Sequence, residues 1–208
     1  MLRVGLTGGF SAGKSLVSRM LHDHFGIAIV DVDAAGRRAV NDHPEISSAL
    51  RQAFGDAYFM ENGALNRKKL GRLVFDDPQA RHMLDAIVHP VMLDIVEQDM
   101  RTIMQQKRDA PYFIVDAALL YELSLQERLD VVVLVQASLD ACIERAWRRD
   151  ALSADEVLRR YDAQMPVAEK RRRADYIVEN DGDLNELQDK VNALHTTLLE
   201  RARQKETG

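Results

Sequence analysis

Four residues near the start of the chain, Gly8, Gly13, Lys14 and Ser15, fit the pattern G-x-x-x-x-G-K-[ST]. This pattern is typical of loops that bind nucleotide phosphates, because the backbone N–H groups and the N-terminus of the following helix point at the anion. The ammonium of Lys14 can reach the β- and γ-phosphates, and the hydroxyl of Ser15 can bind Mg²⁺. The sequence therefore predicts a nucleotide-phosphate site and leaves the acceptor of the phosphate open.

Carboxylates follow two apolar stretches that are predicted to be neighbouring strands. Asp31 and Asp33 are expected to end the second strand, and Asp116 ends the third. Ligands of open α/β sheets bind beyond the carboxyl ends of the strands, so these side chains should lie beside the loop. Strand alternation sends Asp31 and Asp33 to the same side, where either could accept the proton of an attacking hydroxyl or could cap a helix. Asp116 is typical of a Walker-B carboxylate that holds Mg²⁺, with a structural turn as the alternative.

A basic stretch from 145 to 173 holds nine basic and five acidic residues, although the net charge of the chain is -5. Within it, Arg145 and Arg149 are spaced i, i+4 and share one helix face. Planar guanidinium groups suit phosphate oxygens, so the pair is a candidate for binding the nucleotide. The alternatives are a solvated helical surface and an ion pair, for example with Asp150.

Five short segments rich in Val, Ile or Leu predict the strands of a parallel sheet. Their apolar residues are continuous rather than alternating, which is typical of strands covered on both faces. A helical spacing of apolar residues predicts a helix from 15 to 24, which gives the strand–loop–helix order that the phosphate loop requires. The sequence therefore indicates an α/β fold with these strands: Leu2–Leu6, Ala28–Val32, Tyr112–Asp116, Asp130–Gln136 and Tyr176–Glu179.

The long stretch between the second and third strands has helical character and is expected to form a lobe that faces the acceptor. Pro44 opens a helix that Gly55 closes, Asn66 can cap a second helix, and Asp77 precedes a third. A separate helix then runs to Gln106, and His89, directly before a proline, is more consistent with a helix-end cap than with a catalyst. The last helix is expected from Leu184 to about Arg201.

The composition is 46% hydrophobic and 29% charged, as in an ordinary globular protein. Net negative charge argues against a general nucleic-acid binder. A single cysteine, Cys142, excludes an internal disulfide, and no apolar run approaches the roughly 20 residues that would cross a bilayer. The N-terminus does not read as a signal peptide. We expect a cytoplasmic protein without nucleic-acid or membrane partners, as a monomer or weak oligomer.

The phosphate loop is followed, in order, by "DVDAAGR", "NGALNRKKLGRLVF", "IVHP", "ALLYE", "RAWRRD", "YDAQ" and "ADYIVEN". This series resembles the dephospho-CoA kinases over residues 4 to about 195. The resemblance implies a P-loop kinase core with a parallel five-stranded sheet flanked by helices, an inserted helical lobe and a helical lid. The nucleotide-binding core would comprise residues 1–33, 109–147 and 174–208, the CoA-binding lobe residues 34–108, and the lid residues 148–173.

The resemblance further implies transfer of the ATP γ-phosphate, with Mg²⁺, to the ribose 3′-hydroxyl of dephospho-CoA. Asp33 would be the general base, and Lys14 and Arg145 would act on the transferred phosphoryl group. Ser15 and Asp116 would hold the metal. ATP would be bound by Gly8, Gly9, Ser11, Ala12, Gly13, Lys14, Ser15, Leu16, Arg149 and Asn180, and the acceptor by Asp33, Arg37, His89, Leu119, Leu120 and Gln164.

The chain departs from the usual family pattern in two places. Phe10, Ser11 and Ala12 replace Ile, Gly and Ser in the loop, and position 11 is one where glycine permits a positive φ. Ala118 and Tyr121 replace Pro and Phe near the acceptor. Another nucleoside or nucleotide kinase would share the loop without the ordered motifs from 62 to 89. A guanine-dependent switch protein would carry an Asn-Lys-x-Asp motif, which residues 133–140 lack.

Overall fold

The computed structural model describes residues 1–207, which form two compact units. The first unit comprises residues 1–30 and those from 103 onward, and the second comprises residues 31–102. No helix in the described range is both long and apolar enough to cross a membrane.

The first unit is organised around a five-stranded sheet with the strand order β2-β3-β1-β4-β5. Strand β1 pairs in parallel with β3 and with β4, and β4 pairs in parallel with β5. The prediction of a parallel five-stranded sheet is thus confirmed, with small changes at strand ends. The strands are β1 (Leu2–Gly8), β2 (Ala28–Asp31), β3 (Tyr112–Asp116), β4 (Val131–Gln136) and β5 (Tyr176–Glu179).

Five helices belong wholly to the first unit. Apolar residues of α1 and α9, such as Val17, Leu21 and Val191, form one core cluster with the sheet residues Val4 and Val133. Burial of the central strands by helices explains why their sequences are continuously apolar. The last helix extends beyond the predicted Arg201. These helices are α1 (Lys14–Phe25), α6 (Leu139–Asp150), α7 (Ala154–Asp162), α8 (Val167–Arg173) and α9 (Leu184–Thr207).

The second unit contains α2 (Val32–Asp42), α3 (Pro44–Phe54), α4 (Arg67–Asp76) and most of α5 (Pro78–Gln106). The predicted starts are confirmed by their hydrogen bonds. The Asn66 side chain accepts from the backbone N–H of Lys69 at 3.0 Å, and Asp77 Oδ1 accepts from that of Gln79 at 2.8 Å.

The prediction of two helices before Gln106 is wrong, because α5 is a single helix that passes through Pro90. Proline removes one backbone hydrogen bond, but buried apolar residues on both sides, including Val88 and Met92, keep the helix packed. His89 therefore does not cap a helix end. It lies inside α5 with its Nε2 atom 3.2 Å from Asp85 Oδ1, one turn earlier.

The predicted placement of Asp31 and Asp33 on one strand is also wrong. Strand β2 ends at Asp31, and α2 begins at Val32, so Asp33 is a helical residue. Asp31 is the N-cap of α2, and its Oδ1 atom accepts from the backbone N–H of Ala34 at 2.8 Å. A capping carboxylate satisfies a helix N–H that would otherwise lack a partner, which favours the earlier helix start. The two carboxylates are thus distinguished by the local structure.

Candidate active site

The predicted phosphate loop connects β1 to α1 and contains two residues with positive φ, Gly13 (96°) and Ser11 (60°). Position 11 thus adopts the left-handed conformation that the replaced glycine of the family pattern would favour. At Gly13 a side chain is excluded twice, by the backbone angle and by the amide nitrogen of Asn180, which occupies the space of a Cβ. Glycine is therefore required where the loop turns into the helix.

Lys14 and Asp116 form an ion pair beside the loop. Their side chains are only 13% and 11% exposed, and the sheet register that aligns Leu6 with Asp116 brings β3 beside the end of β1. The structure thus joins the predicted phosphate-binding cation to the predicted metal-binding carboxylate. Ser15, the next residue of α1, is exposed.

Arg145 and Asn180 both contact the loop at the carbonyl oxygen of Ala12. Arg145 Nη1 donates to this oxygen at 3.4 Å, and Asn180 Nδ2 donates to it at 2.9 Å. Arg145 Nη2 also donates to the carbonyl of Asn180 at 2.6 Å. Asn180 is buried and is fixed by its own N–H, which donates to Gln136 O at 2.8 Å. The structure therefore brings together three residues that the sequence assigned to ATP.

Arg149 lies on the same helix, but its guanidinium donates to Asp150 Oδ2 at 2.8 and 2.7 Å. This is the ion pair that the sequence allowed as the alternative, and the ATP-binding role of Arg149 stays a prediction.

The predicted acceptor residues of the first unit differ in their surroundings. Leu120 is fully buried, and its Cδ1 atom lies 2.6 Å from where a Cβ on Gly5 would be, so it packs against the glycine of β1. Leu119 is 38% exposed. The Oε1 atom of Gln164 is buried without a hydrogen-bond partner in the protein.

A cavity of about 270 Å³ lies within the second unit. Its lining contains three of the predicted acceptor residues, Asp33, Arg37 and His89. It also contains Arg67 and Asp85, which the sequence analysis did not single out. The apolar part of the wall is formed by residues of α2, α4 and α5, among them Val40, Leu70, Val88 and Met92.

Two guanidinium groups make this cavity electropositive on one side. Arg67 Nη2 donates to the carbonyl of Arg37 at 3.1 Å and to Asn41 Oδ1 at 3.0 Å. Burial lowers the pKa of Arg67, and the charge of Arg37 lowers it further. Arg37 itself lies 3.5 Å from Asp31 Oδ2. A phosphate-bearing ligand would relieve the repulsion between the two cations, because guanidinium groups pair well with phosphate oxygens.

Comparison with known proteins decides the family. The family model described as dephospho-CoA kinase matches residues 2–186. The chain belongs to the dephospho-CoA kinase family. A dephospho-CoA kinase of Staphylococcus haemolyticus is 38% identical over 193 residues, which cover 93% of this chain and 94% of that protein. One from Staphylococcus aureus is 37% identical over 191 residues, covering 92% and 90%.

Solved structures agree. A Thermus thermophilus protein shares the fold with a TM-score of 0.78 and 33% identity, covering 95% of this chain and 97% of that one. The dephospho-CoA kinase of Campylobacter jejuni has a TM-score of 0.69 at 21% identity, over the same shares of the two chains, which is a likeness of fold. The activity is therefore the ATP-dependent phosphorylation of dephospho-CoA to coenzyme A, and the predictions of fold, family and function are confirmed.

Proposed function

We propose that this dephospho-CoA kinase directs the γ-phosphate to the ribose 3′-hydroxyl of its acceptor, with Asp33 as the general base. The observation that carries the proposal is the cavity in which Asp33 lies with Arg37, Arg67 and His89. A carboxylate in a cavity that also holds two cations can meet a hydroxyl whose substrate is anchored by its phosphates.

In the proposed reaction, the acceptor hydroxyl gives its proton to the Asp33 carboxylate. Its oxygen forms a bond to the γ-phosphorus as the bond to the bridging oxygen breaks and ADP leaves. Phosphoryl transfer requires little covalent work from the protein, so positioning and charge contribute most. Lys14 would bind the β- and γ-phosphates, and Arg145 would stabilise the charge of the transferred group.

Mg²⁺ fits this site as an ion shared with ATP. Residues 1–207 contain no cluster of three acidic, histidine or cysteine side chains that could hold a metal alone. Magnesium commonly binds through one or two protein oxygens together with substrate phosphates, and the Ser15 hydroxyl and the Asp116 carboxylate offer such oxygens. The ion would neutralise charge that develops on the phosphates.

The division of labour along the chain is proposed as follows. Residues 1–33, 109–147 and 174–208 would bind the nucleotide, residues 34–108 would bind dephospho-CoA, and residues 148–173 would act as the lid. The compact unit of residues 31–102, with its own cavity, supports a separate acceptor-binding part. A cytoplasmic, monomeric or weakly oligomeric enzyme is consistent with the single, unpaired and buried Cys142.

Asp33→Asn is expected to lower kcat by roughly 10² to 10⁴, because the amide keeps the size of the side chain but cannot take the proton. Asp31→Asn is the matched control. Asparagine caps helices as well as aspartate does, so this variant should keep α2 and lose less than about tenfold in kcat. Steady-state turnover of both variants tests the assignment. If Asp31→Asn were the more damaging change, Asp33 would not be the base.

Arg67→Met is expected to raise the KM for dephospho-CoA by about 10- to 100-fold, the effect of losing one charged hydrogen bond of about 1.5–3 kcal/mol. The KM for ATP should change little. Arg72→Met, an exposed position on the same helix, should leave both constants near their wild-type values. An unchanged KM for dephospho-CoA in a folded Arg67→Met protein would remove Arg67 from acceptor binding.

A further inference from the structure

Lys170, in the middle of α8, is the one lysine or arginine of residues 1–207 whose side chain is fully buried. A buried ammonium is costly unless it is paired and hydrogen-bonded. Lys170 has both kinds of partner. Its Nζ atom donates to the carbonyl of Ala118 at 2.8 Å and lies 3.6 Å from Glu122 Oε1. The sequence placed this residue in a charged stretch and gave it no role.

The Ala118 carbonyl connects Lys170 to the phosphate loop. This oxygen also accepts from Thr7 Oγ1 at 3.3 Å, and Thr7 directly precedes Gly8, the first residue of the loop pattern. Ala118 itself follows Asp116, the partner of Lys14, by two residues. Lys170 is thus attached to the segment that carries the predicted metal-binding carboxylate.

Glu122 connects the same segment to the residues between α7 and α8. Its Oε1 atom, which lies near Lys170, also accepts from the backbone N–H of Met165 at 2.7 Å. One carboxylate oxygen therefore anchors both α8 and the turn before it. Burial lowers the pKa of Lys170, Glu122 opposes this shift, and the positive charge of Lys14 adds to it.

The anchored residues cover one side of the phosphate loop. A Cβ on Gly9 would lie 3.2 Å from Val167 Cγ2 and 3.4 Å from Tyr161 Cε2. The guanidinium carbon of Arg160 lies 5.2 Å from the centre of the Phe10 ring. The position of these side chains against the loop depends on what holds α7 and α8 in place.

We propose that Lys170 is a positioning residue for phosphoryl transfer: paired with Glu122, it holds residues 160–167 against the phosphate loop. The proposal rests on the role proposed above for that loop. Because small misplacements of reacting groups can cost about 10²-fold in rate, loss of this anchor should act on kcat.

The test compares Lys170→Met, which keeps length but removes charge, with Glu122→Gln, whose amide oxygen can still accept from Met165. Both are expected to lower kcat about 10- to 100-fold and to change the KM for ATP less than about threefold. The double variant should be no worse than Lys170→Met by more than about threefold, since both changes remove one interaction. The control is Lys190→Met, an exposed lysine that donates to the carbonyl of Glu179 at 2.8 Å, which should retain wild-type kcat.

Hydrogen exchange of residues 160–167 in the presence of ATP separates positioning from general stability. Faster exchange there in Lys170→Met and Glu122→Gln, at an unchanged melting temperature, is the expected result. Wild-type kcat or wild-type exchange in either folded variant would overturn the proposal, and Glu122→Gln keeps the test decisive should Lys170→Met fail to fold. If Lys14→Ala is inactive while Lys170→Met is fully active, only the role of Lys170 is lost. If Lys14→Ala is active, the role of the loop itself is wrong.

Discussion

Lys14→Ala is expected to abolish phosphoryl transfer in a protein that still folds. The ammonium of Lys14 belongs to the first residue of α1 and pairs with Asp116, so its loss removes charge from the phosphate site. The apolar core contains no part of this side chain. The expected change is therefore catalytic, because bound phosphates would lose the cation that meets their developing charge.

Turnover by ADP release and thermal unfolding should be measured on the same preparation. Arg19→Ala, an exposed change in the same helix, is the matched control and should be fully active. Near-wild-type turnover in a folded Lys14→Ala protein would exclude the loop from the mechanism.

Arg145→Ala is expected to lower kcat by about 10³ to 10⁵ and to raise the KM for ATP far less. This range is that of arginines that stabilise the transition state of related phosphoryl transfers. The guanidinium carries five N–H donors, and the contacts to Ala12 and Asn180 use two of its nitrogens. The remaining donors can meet the transferred phosphoryl group from a position fixed against the loop.

Arg149→Ala provides the comparison on the same helix, since the Arg149 side chain is exposed and pairs with Asp150. It should affect kcat much less than Arg145→Ala does. If Arg145→Ala changed only the KM for ATP, Arg145 would be a ground-state binding residue. The two variants should therefore be measured at saturating concentrations of both substrates.

Local signals in the sequence predicted most of the fold. The five strands were found because buried parallel strands are continuously apolar, and the starts at Pro44, Asn66 and Asp77 were found because helix caps use few residue types. The failures lie where two local signals compete. At Asp31 the capping preference of aspartate won over strand continuation, and at Pro90 burial of α5 on both sides won over the usual helix-breaking effect.

The candidate site was predictable where chemistry follows a fixed spacing. The loop residues and Asp116 belong to this class. Arg67 and Lys170 do not, because each is one basic residue among neighbours of the same charge, and only packing reveals which one faces a cavity or a buried carboxylate. The positive φ at Ser11 was foreseeable only through the family resemblance, since serine itself does not favour that conformation.

The central claim, that the acceptor atom is the ribose 3′-oxygen, is tested most directly with 3′-deoxy-dephospho-CoA in place of dephospho-CoA. The analogue keeps the phosphates that Arg37 and Arg67 are proposed to bind but lacks the proposed nucleophile. We expect it to inhibit competitively against dephospho-CoA, with an inhibition constant near the KM of the substrate, and to accept no phosphate from labelled ATP. Transfer of label to the deoxy analogue would contradict the claim.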